Sequence, residues 1–287
     1  MKGQSLVPVL VLALAGASLA GSPAPPTFST PAPTWTYAAF AQAYEQSGRK
    51  TALTEAGFAR IQGRKRRALK VIEDYLKTKF GEADPRVIQA FAEVPREFFH
   101  YDYGARRAFP EVAYEDDAKP WAIGYGSALS DYLGQAYMTQ LAKVSPESVV
   151  LEIGTGSGFQ ASVLSRMARQ AYTIEIIEPL GKAVAHIFRP LGYLNVETKV
   201  GDGFFGWPEV SGGFDMIMFT AAAPYVPPAL LNQLKPGGRL IVPIGQPFKR
   251  GQFLYVFTKD AQGKIHSRKD VGVYFVPMTG EIMKRRQ

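Results

Sequence analysis

The stretch Val149-Val150-Leu151-Glu152-Ile153, followed by Gly154-Thr155-Gly156-Ser157-Gly158, decides the fold. The apolar run is too short for a helix and reads as a buried strand. The alternating glycines after it form a turn in which backbone can approach a ligand closely. From Ala161 to Arg169 the spacing is helical. Strand, glycine turn and helix in that order leave unpaired N–H groups at the helix start, an arrangement suited to a nucleotide. The glycines follow G-x-G-x-G behind an acidic residue rather than the G-x-G-x-x-G of dinucleotide dehydrogenases, which weakens a nicotinamide reading.

Downstream the alternation continues. Strands are expected at Ala171 to Glu175, Asn195 to Val200, Phe214 to Phe219 and Arg239 to Pro243, with helices at Leu180 to Arg189 and Pro228 to Leu234. This rhythm predicts an α/β fold over 146–287, a Rossmann-like, doubly wound, mostly parallel sheet covered on both faces. Phe253 to Thr258 and Val271 to Val276 read as strands without a helix between them. Joined through Asp260 to Gly263, they predict an antiparallel pair closing the C-terminal edge.

Upstream, residues 37–145 read as a helical region with an acceptor-side loop. Helical spacing starts at Tyr37, with breaks expected at Gly48 and Gly57. Arg64-Lys65-Arg66-Arg67 lies on a helix running through Leu69, Ile72 and Leu76. No aromatics interleave with these charges, so the run reads as a solvated helix face and no nucleic-acid partner is expected. Asp84-Pro85 signals a helix start. Tyr101 to Tyr125 looks irregular, and a helix follows from Tyr132 to Lys143.

Residues 1–20 read as addressing rather than fold. Lys2, an apolar run from Leu6 to Leu19 and small residues ending at Ala20 predict a secretory signal peptide, with an uncleaved anchor as the alternative. The proline-rich 21–36 reads as a tether. Across 287 residues there is no cysteine, which excludes disulfides, thiolate zinc sites, a cysteine nucleophile and a lipid-anchored N-terminus. Three histidines leave little for a metal centre, and none is expected. The net charge of +8 favours anionic partners without choosing among them.

Three features narrow the ligand. The glycine turn follows Glu152; Glu175 ends the second strand, where a carboxylate can accept from both ribose hydroxyls; and Gly201-Asp202-Gly203 follows the third, where Asp202 can accept from an adenine amino group. Together they look like a site for S-adenosylmethionine built from Glu152, Gly154, Thr155, Gly156, Ser157, Gly158, Glu175, Asp202 and Gly203. Glu152 bracing the turn alone stays open as an alternative, and Glu178 is expected to cap the next helix.

From about Pro85 to Gly280 the chain resembles the protein-L-isoaspartate O-methyltransferase family. The resemblance rests on AFAEVPREFF, IGYG followed by a serine, LEIGTGSGFQASVLS, YTIEIIEPL, VGDGFFGWP, FDMIMFTAAAPYVPPALLNQLKPGGRLIVPIG and YFVPMTG. It implies S-adenosylmethionine as cofactor, reversed strand positions near the C-terminal edge, and damaged proteins or peptides carrying L-isoaspartyl or D-aspartyl residues as substrates. The implied reaction is a repair methylation by a monomer. Ser130 falls at the family's active serine, where the resemblance implies a donor to the acceptor carboxylate. Ser127, Asp131, Pro277, Met278 and Thr279 fall on the substrate side.

The family usually reads I-G-y-G-q-T-I-S-Q-P-Y in this segment. Here Ala128 replaces the threonine, Asp131-Tyr132 replaces Gln-Pro, and Trp121-Ala122 are additional. An Asp131 carboxylate in the acceptor pocket would repel an anionic acceptor. The departure leaves open a methyltransferase of this fold with another carboxylate or a dedicated peptide as acceptor, or an exported binding protein without catalysis. The N-terminal pattern predicts export; the cofactor and the resemblance imply cytoplasm as the alternative.

Overall fold

The computed structural model describes residues 35–246 and 251–284; the expected signal segment 1–20 and residues 21–34 of the expected tether lie outside the described residues, while its last two join the fold, Trp35 donating to the Glu93 carbonyl and Thr36 capping α1. The N-terminal region contains α1 (Tyr37–Gln46), α2 (Glu55–Phe80), α3 (Pro85–Glu93) and α4 (Arg96–Phe99). Two short antiparallel hairpins follow: β1 (Tyr101–Asp102) with β2 (Arg107–Ala108), and β3 (Trp121–Gly124) with β4 (Ser127–Leu129). Then comes α5 (Tyr132–Ala142). Threonine and aspartate side chains start these helices by accepting orphan amides: Thr36 from Ala39, Thr54 from Gly57 and Asp84 from Arg86.

Several expectations need correction here. Gly57 lies inside α2 rather than in a break, because the Thr54 cap nucleates the helix ahead of it; the break spans 47–54, with Gly48 at φ +70°. The basic run is only partly solvated. Arg66 and Arg67 are exposed, but Lys65 is buried, its ammonium 3.4 Å from the Val94 carbonyl. The stretch 101–125 is not irregular throughout. Trp121 and Ala122, the additional residues, pair with Leu129 and Ala128 and thereby lengthen the second hairpin.

The core sheet is built from β5 (Val149–Ile153), α6 (Phe159–Ser165), β6 (Gln170–Glu175), α7 (Glu178–Ala185), β7 (Val196–Val200), β8 (Phe214–Phe219), α8 (Pro228–Gln233), β9 (Leu234–Ile244), β10 (Gln252–Lys259) and β11 (Ile265–Val273), with α9 (Glu281–Lys284) last. Strand order is β11-β10-β9-β8-β5-β6-β7. The five strands β5 to β9 run parallel, and β10 and β11 add antiparallel pairings at the edge. The expected α/β class and its antiparallel C-terminal edge are present, with β10 and β11 in consecutive order.

Side-chain alternation along the strands separates two cores. Val150, Met216, Met218 and Ile241 pack with the N-terminal helices on one face; Leu151, Ile217, Phe219, Leu240 and Val242 form the other. The last strand runs 265–273, not 271–276. The Asp260 carboxylate accepts from the Gln262 and Lys264 amides, so the chain turns back at once. Its first half is polar and exposed, as suits an edge strand, and gives no apolar signal. Helices α6 and α7 also end earlier than their spacing suggested. Glu178 is the first residue of α7 rather than its cap, and pairs one turn on with Lys182 at 2.6 Å.

Candidate active site

A cleft opens at the carboxyl ends of β5, β6 and β8, where the strand order reverses direction from β5. Open α/β sheets offer ligands a crevice at this position. One wall is the glycine turn. Gly154 at φ +102° donates its amide to the Ile174 carbonyl at 2.9 Å, and a Cβ there would lie 2.5 Å from the Thr220 hydroxyl. Gly156 at φ +52° has no neighbour closer than 3.8 Å to a built Cβ, the nearest being the Ser127 hydroxyl across the cleft. Those contacts are at ordinary van der Waals distance, so Gly156 presents bare backbone to the cleft it lines without crowding.

Glu175 lines the cleft at the end of β6. One oxygen accepts from the Gly156 amide at 2.8 Å and the other from the Ile177 amide at 3.0 Å. Each oxygen keeps lone-pair capacity for a further donor. Glu152, on central β5, is 1% exposed and also lines the cleft. Its Oε2 accepts from the Thr173 hydroxyl at 2.6 Å, which is itself 2.7 Å from the Thr155 hydroxyl. Its Oε1 has no partner among the described residues. Burial pushes this carboxyl up to about 8, against the Thr173 hydrogen bond and with a further contribution from Glu175. Bracing of the turn by Glu152 is therefore limited to Thr173, and half of the carboxylate is left for something else.

The opposite wall comes from β4, the start of α5 and the segment after β11. Ser127, Ser130, Pro277, Met278 and Thr279 all line the cleft, as do Thr155, Ser157 and Gly203. The 276–278 segment is held there by the Ala222 amide donating to Val276 and the Met278 amide donating to Ala222, both at 2.8 Å. Upstream of it, the buried Gln252 side chain accepts from the Phe275 amide at 2.7 Å.

Two expected site residues are placed elsewhere and one beside the cleft. Gly158 does not line the cleft; a Cβ there would press on Val184 and Phe188 at 2.9 and 3.0 Å, so this glycine serves the packing of α7. Asp202, next to the cleft-lining Gly203, accepts from the Phe204 amide at 2.9 Å and the Glu281 amide at 2.7 Å, which ties the 281 turn to the loop after β7. Asp131 caps α5, accepting from the Gly134 amide at 2.7 Å, and does not line the acceptor wall. The repulsion it threatened is thus removed from the pocket. Tyr132 is buried beside it, with its hydroxyl donating to the Glu115 carbonyl at 3.2 Å.

Motif reading missed other residues of the cleft. Gln135, Met138, Gln160 and Phe275 line it. Behind them Arg96, 2% exposed, donates to the Ala113 carbonyl, the Gln135 side-chain oxygen and the Ser130 carbonyl at 3.2, 2.6 and 2.7 Å. Burial lowers this guanidinium to about 10, so it stays charged at neutral pH. VPREFF marked the segment that carries Arg96, but nothing in its spacing pointed to Gln135.

Comparison with known proteins agrees with this layout. The model of the protein-L-isoaspartate(D-aspartate) O-methyltransferase family matches residues 67–283. A Syntrophobacter fumaroxidans protein called protein-L-isoaspartate O-methyltransferase 2 is 49% identical over 197 residues, covering 69% of this chain and 76% of that protein. A Cupriavidus necator protein called protein-L-isoaspartate O-methyltransferase 1 is 46% identical over 198 residues, 69% and 73% of the two chains. A solved structure of a protein-L-isoaspartate O-methyltransferase superposes with a TM-score of 0.65 at 27% identity, covering 76% of this chain and 67% of that one. A second, from Plasmodium falciparum in complex with S-adenosyl-L-homocysteine, gives 0.59 at 24% identity, covering 73% and 97%. With its glycine turn, its paired acidic residues and its serine wall set in this sheet, the chain belongs to the protein-L-isoaspartate(D-aspartate) O-methyltransferase family.

Proposed function

We propose that the cleft transfers the methyl group of S-adenosylmethionine to the free carboxylate of L-isoaspartyl, and D-aspartyl, residues in aged proteins, with Ser130 on the acceptor side. The observation that carries the reading is the two-sided cleft: acidic residues and a glycine turn on one wall, Ser130 and the 277–279 segment on the other. Three features of the chain suit the cofactor. Gly156 presents bare backbone at the cleft wall, Glu175 has lone pairs for ribose hydroxyls, and the unpaired Glu152 oxygen suits an ammonium group. Bound S-adenosylmethionine supplies a methyl group activated by a sulfonium.

The remaining work is positioning. A side-chain carboxylate is ionised at pH 7, so the acceptor needs no general base. Ser130 donates a hydrogen bond that orients the acceptor oxygen, while Leu129, Met138, Met218 and Phe275 give the cleft apolar walls that exclude water. None of the three histidines, all within the described residues, lines the cleft, so Ser130 lacks the base a nucleophilic serine requires. The neighbouring backbone nitrogen attacks the ester carbonyl and expels methanol to give a succinimide, which water reopens partly as normal aspartate.

Kinetics on an isoaspartyl peptide against a panel of free carboxylic acids test the acceptor. The peptide should be preferred, and Ser130→Ala should lower its turnover while S-adenosylhomocysteine affinity holds. Preference for a free acid would move the assignment to another carboxylate. Export belongs to the same proposal, supported by Lys2, the apolar run and the small residues ending at Ala20. Mass spectrometry should find a mature N-terminus at Gly21; full-length protein with Met1 in the cytoplasm would contradict it.

A further inference from the structure

Gln135 lies in the acceptor wall, one helical turn after the Asp131 cap, its amide donating to the Asp131 carbonyl at 3.1 Å. The next turn is tied down as well. Thr139 donates its hydroxyl to the Gln135 carbonyl at 2.7 Å and accepts from the Gln160 side chain at 2.9 Å. The side chain of Gln135 is therefore presented from a fixed backbone.

Its orientation follows from Arg96. A guanidinium has five donors and no acceptor, so the Gln135 group facing it at 2.6 Å has to be the oxygen. The side-chain nitrogen is turned the other way, and it has no partner among the described residues. It is not sealed from solvent, since the buried polar atoms lacking partners do not include it. Gln135 itself lines the cleft.

The same guanidinium donates through its other terminal nitrogen to the Ser130 carbonyl at 2.7 Å. One fork thus holds Gln135 and Ser130 side by side. All three acceptors of Arg96 are neutral oxygens, and it forms no ion pair at contact distance among the described residues. A buried positive charge behind an amide dipole makes the exposed N–H₂ end a stronger donor and favours an anion in front of it.

We propose that Gln135 is a second donor to the acceptor: its side-chain nitrogen hydrogen-bonds the substrate carboxylate beside Ser130, and Arg96 is the positioning residue that aims it. The inference rests on the isoaspartyl-methylation reading above. Two donors on one carboxylate fix its rotation, which a single serine hydroxyl does not, and hold one oxygen toward the methyl group.

Gln135→Glu tests this without leaving Arg96 unpaired, because a carboxylate oxygen takes the place of the amide oxygen. The substitution removes the donor and sets a negative charge before the acceptor. Wild-type chain and the variant are compared in kcat/KM on an isoaspartyl peptide and in affinity for S-adenosylhomocysteine. The expected result is a loss of about tenfold or more in kcat/KM, mainly through KM, with product affinity held within about twofold. Gln135→Met should lose less, since it removes the donor without adding charge. Arg96→Lys should raise KM for the peptide while sparing the affinity for S-adenosylhomocysteine. Turnover by Gln135→Glu within about twofold of wild type would overturn the inference and leave the methylation reading intact. A parallel loss of S-adenosylhomocysteine affinity would overturn it too, since the damage would then be general. Absence of methylation by the wild-type chain would remove the reading itself, and the inference with it.

Discussion

Asp131 follows Ser130 directly, yet its carboxylate serves the backbone of α5 and not the acceptor. Replacing it with the family's glutamine should therefore bring no gain in turnover. Asp131→Gln should instead lower stability by about 1 kcal/mol, the usual loss of an N-cap, read from urea unfolding. Glu152 gives a pH signature. Its folded carboxyl stands at about 8, above the ordinary value of 4.5, so the native state holds a proton that the unfolded chain has released between those values. Its contribution to stability therefore falls as pH rises from about 4.5 to about 8. Glu152→Gln should flatten that decline in unfolding experiments across this window. At pH 7 the wild type should also release protons on binding S-adenosylhomocysteine, seen by calorimetry in buffers of different ionisation enthalpy, and the variant should not. At this scale the cleft positions of Ser130 and Glu175 were legible because short motifs carry them. Gln135 was not: a neutral side chain inside a helix acquires its meaning only from Arg96, which folding brings to it from 39 residues away.

Among elements, the glycine turn separates binding from packing within three residues. Gly156 and Gly158 both take left-handed backbone, φ +52° and +86°, and alanine at either carries that strain. Only at Gly158 would the new Cβ also meet Val184 and Phe188. Gly158→Ala should destabilise the fold by about 1–3 kcal/mol more than Gly156→Ala. Gly156→Ala should instead act mainly on cofactor affinity. Thermal unfolding and S-adenosylhomocysteine titration on the two variants check this crossed pattern. Strands β5 and β8, central in the parallel sheet, were readable because burial on both faces leaves nearly continuous apolar runs. The edge strand β11 was mislocated because its solvated half, His266 to Asp270, carries no apolar signal, while the apolar Phe275 and Val276 that follow it leave the sheet for the cleft.

Across the whole molecule, one hydrophobic cluster runs from Phe40 and Tyr44 through Phe98, Phe99 and Phe159 to Met216 and Leu254. Helix α1 precedes the residues matched by the family model, yet its Phe40 and Tyr44 rings pack edge-on against Phe98 at 5.8 and 4.6 Å. Arg49, between α1 and α2, lies 4.1 Å from the centre of the Phe98 ring and donates to the Phe98 carbonyl. The N-terminal helices therefore support α4, whose first residue is Arg96, and through it the acceptor wall. Phe40→Ala should lower stability by about 3–5 kcal/mol, measured by denaturant unfolding, although Phe40 does not line the cleft. The central claim is that this frame brings an activated methyl group and an isoaspartyl carboxylate together. Transfer of labelled methyl from S-adenosylmethionine to an isoaspartyl peptide, set against the same peptide with normal aspartate, tests it most directly. The account predicts base-labile label on the isoaspartyl peptide and background on its twin; equal labelling of both, or none on either by folded protein that binds S-adenosylhomocysteine, would contradict it.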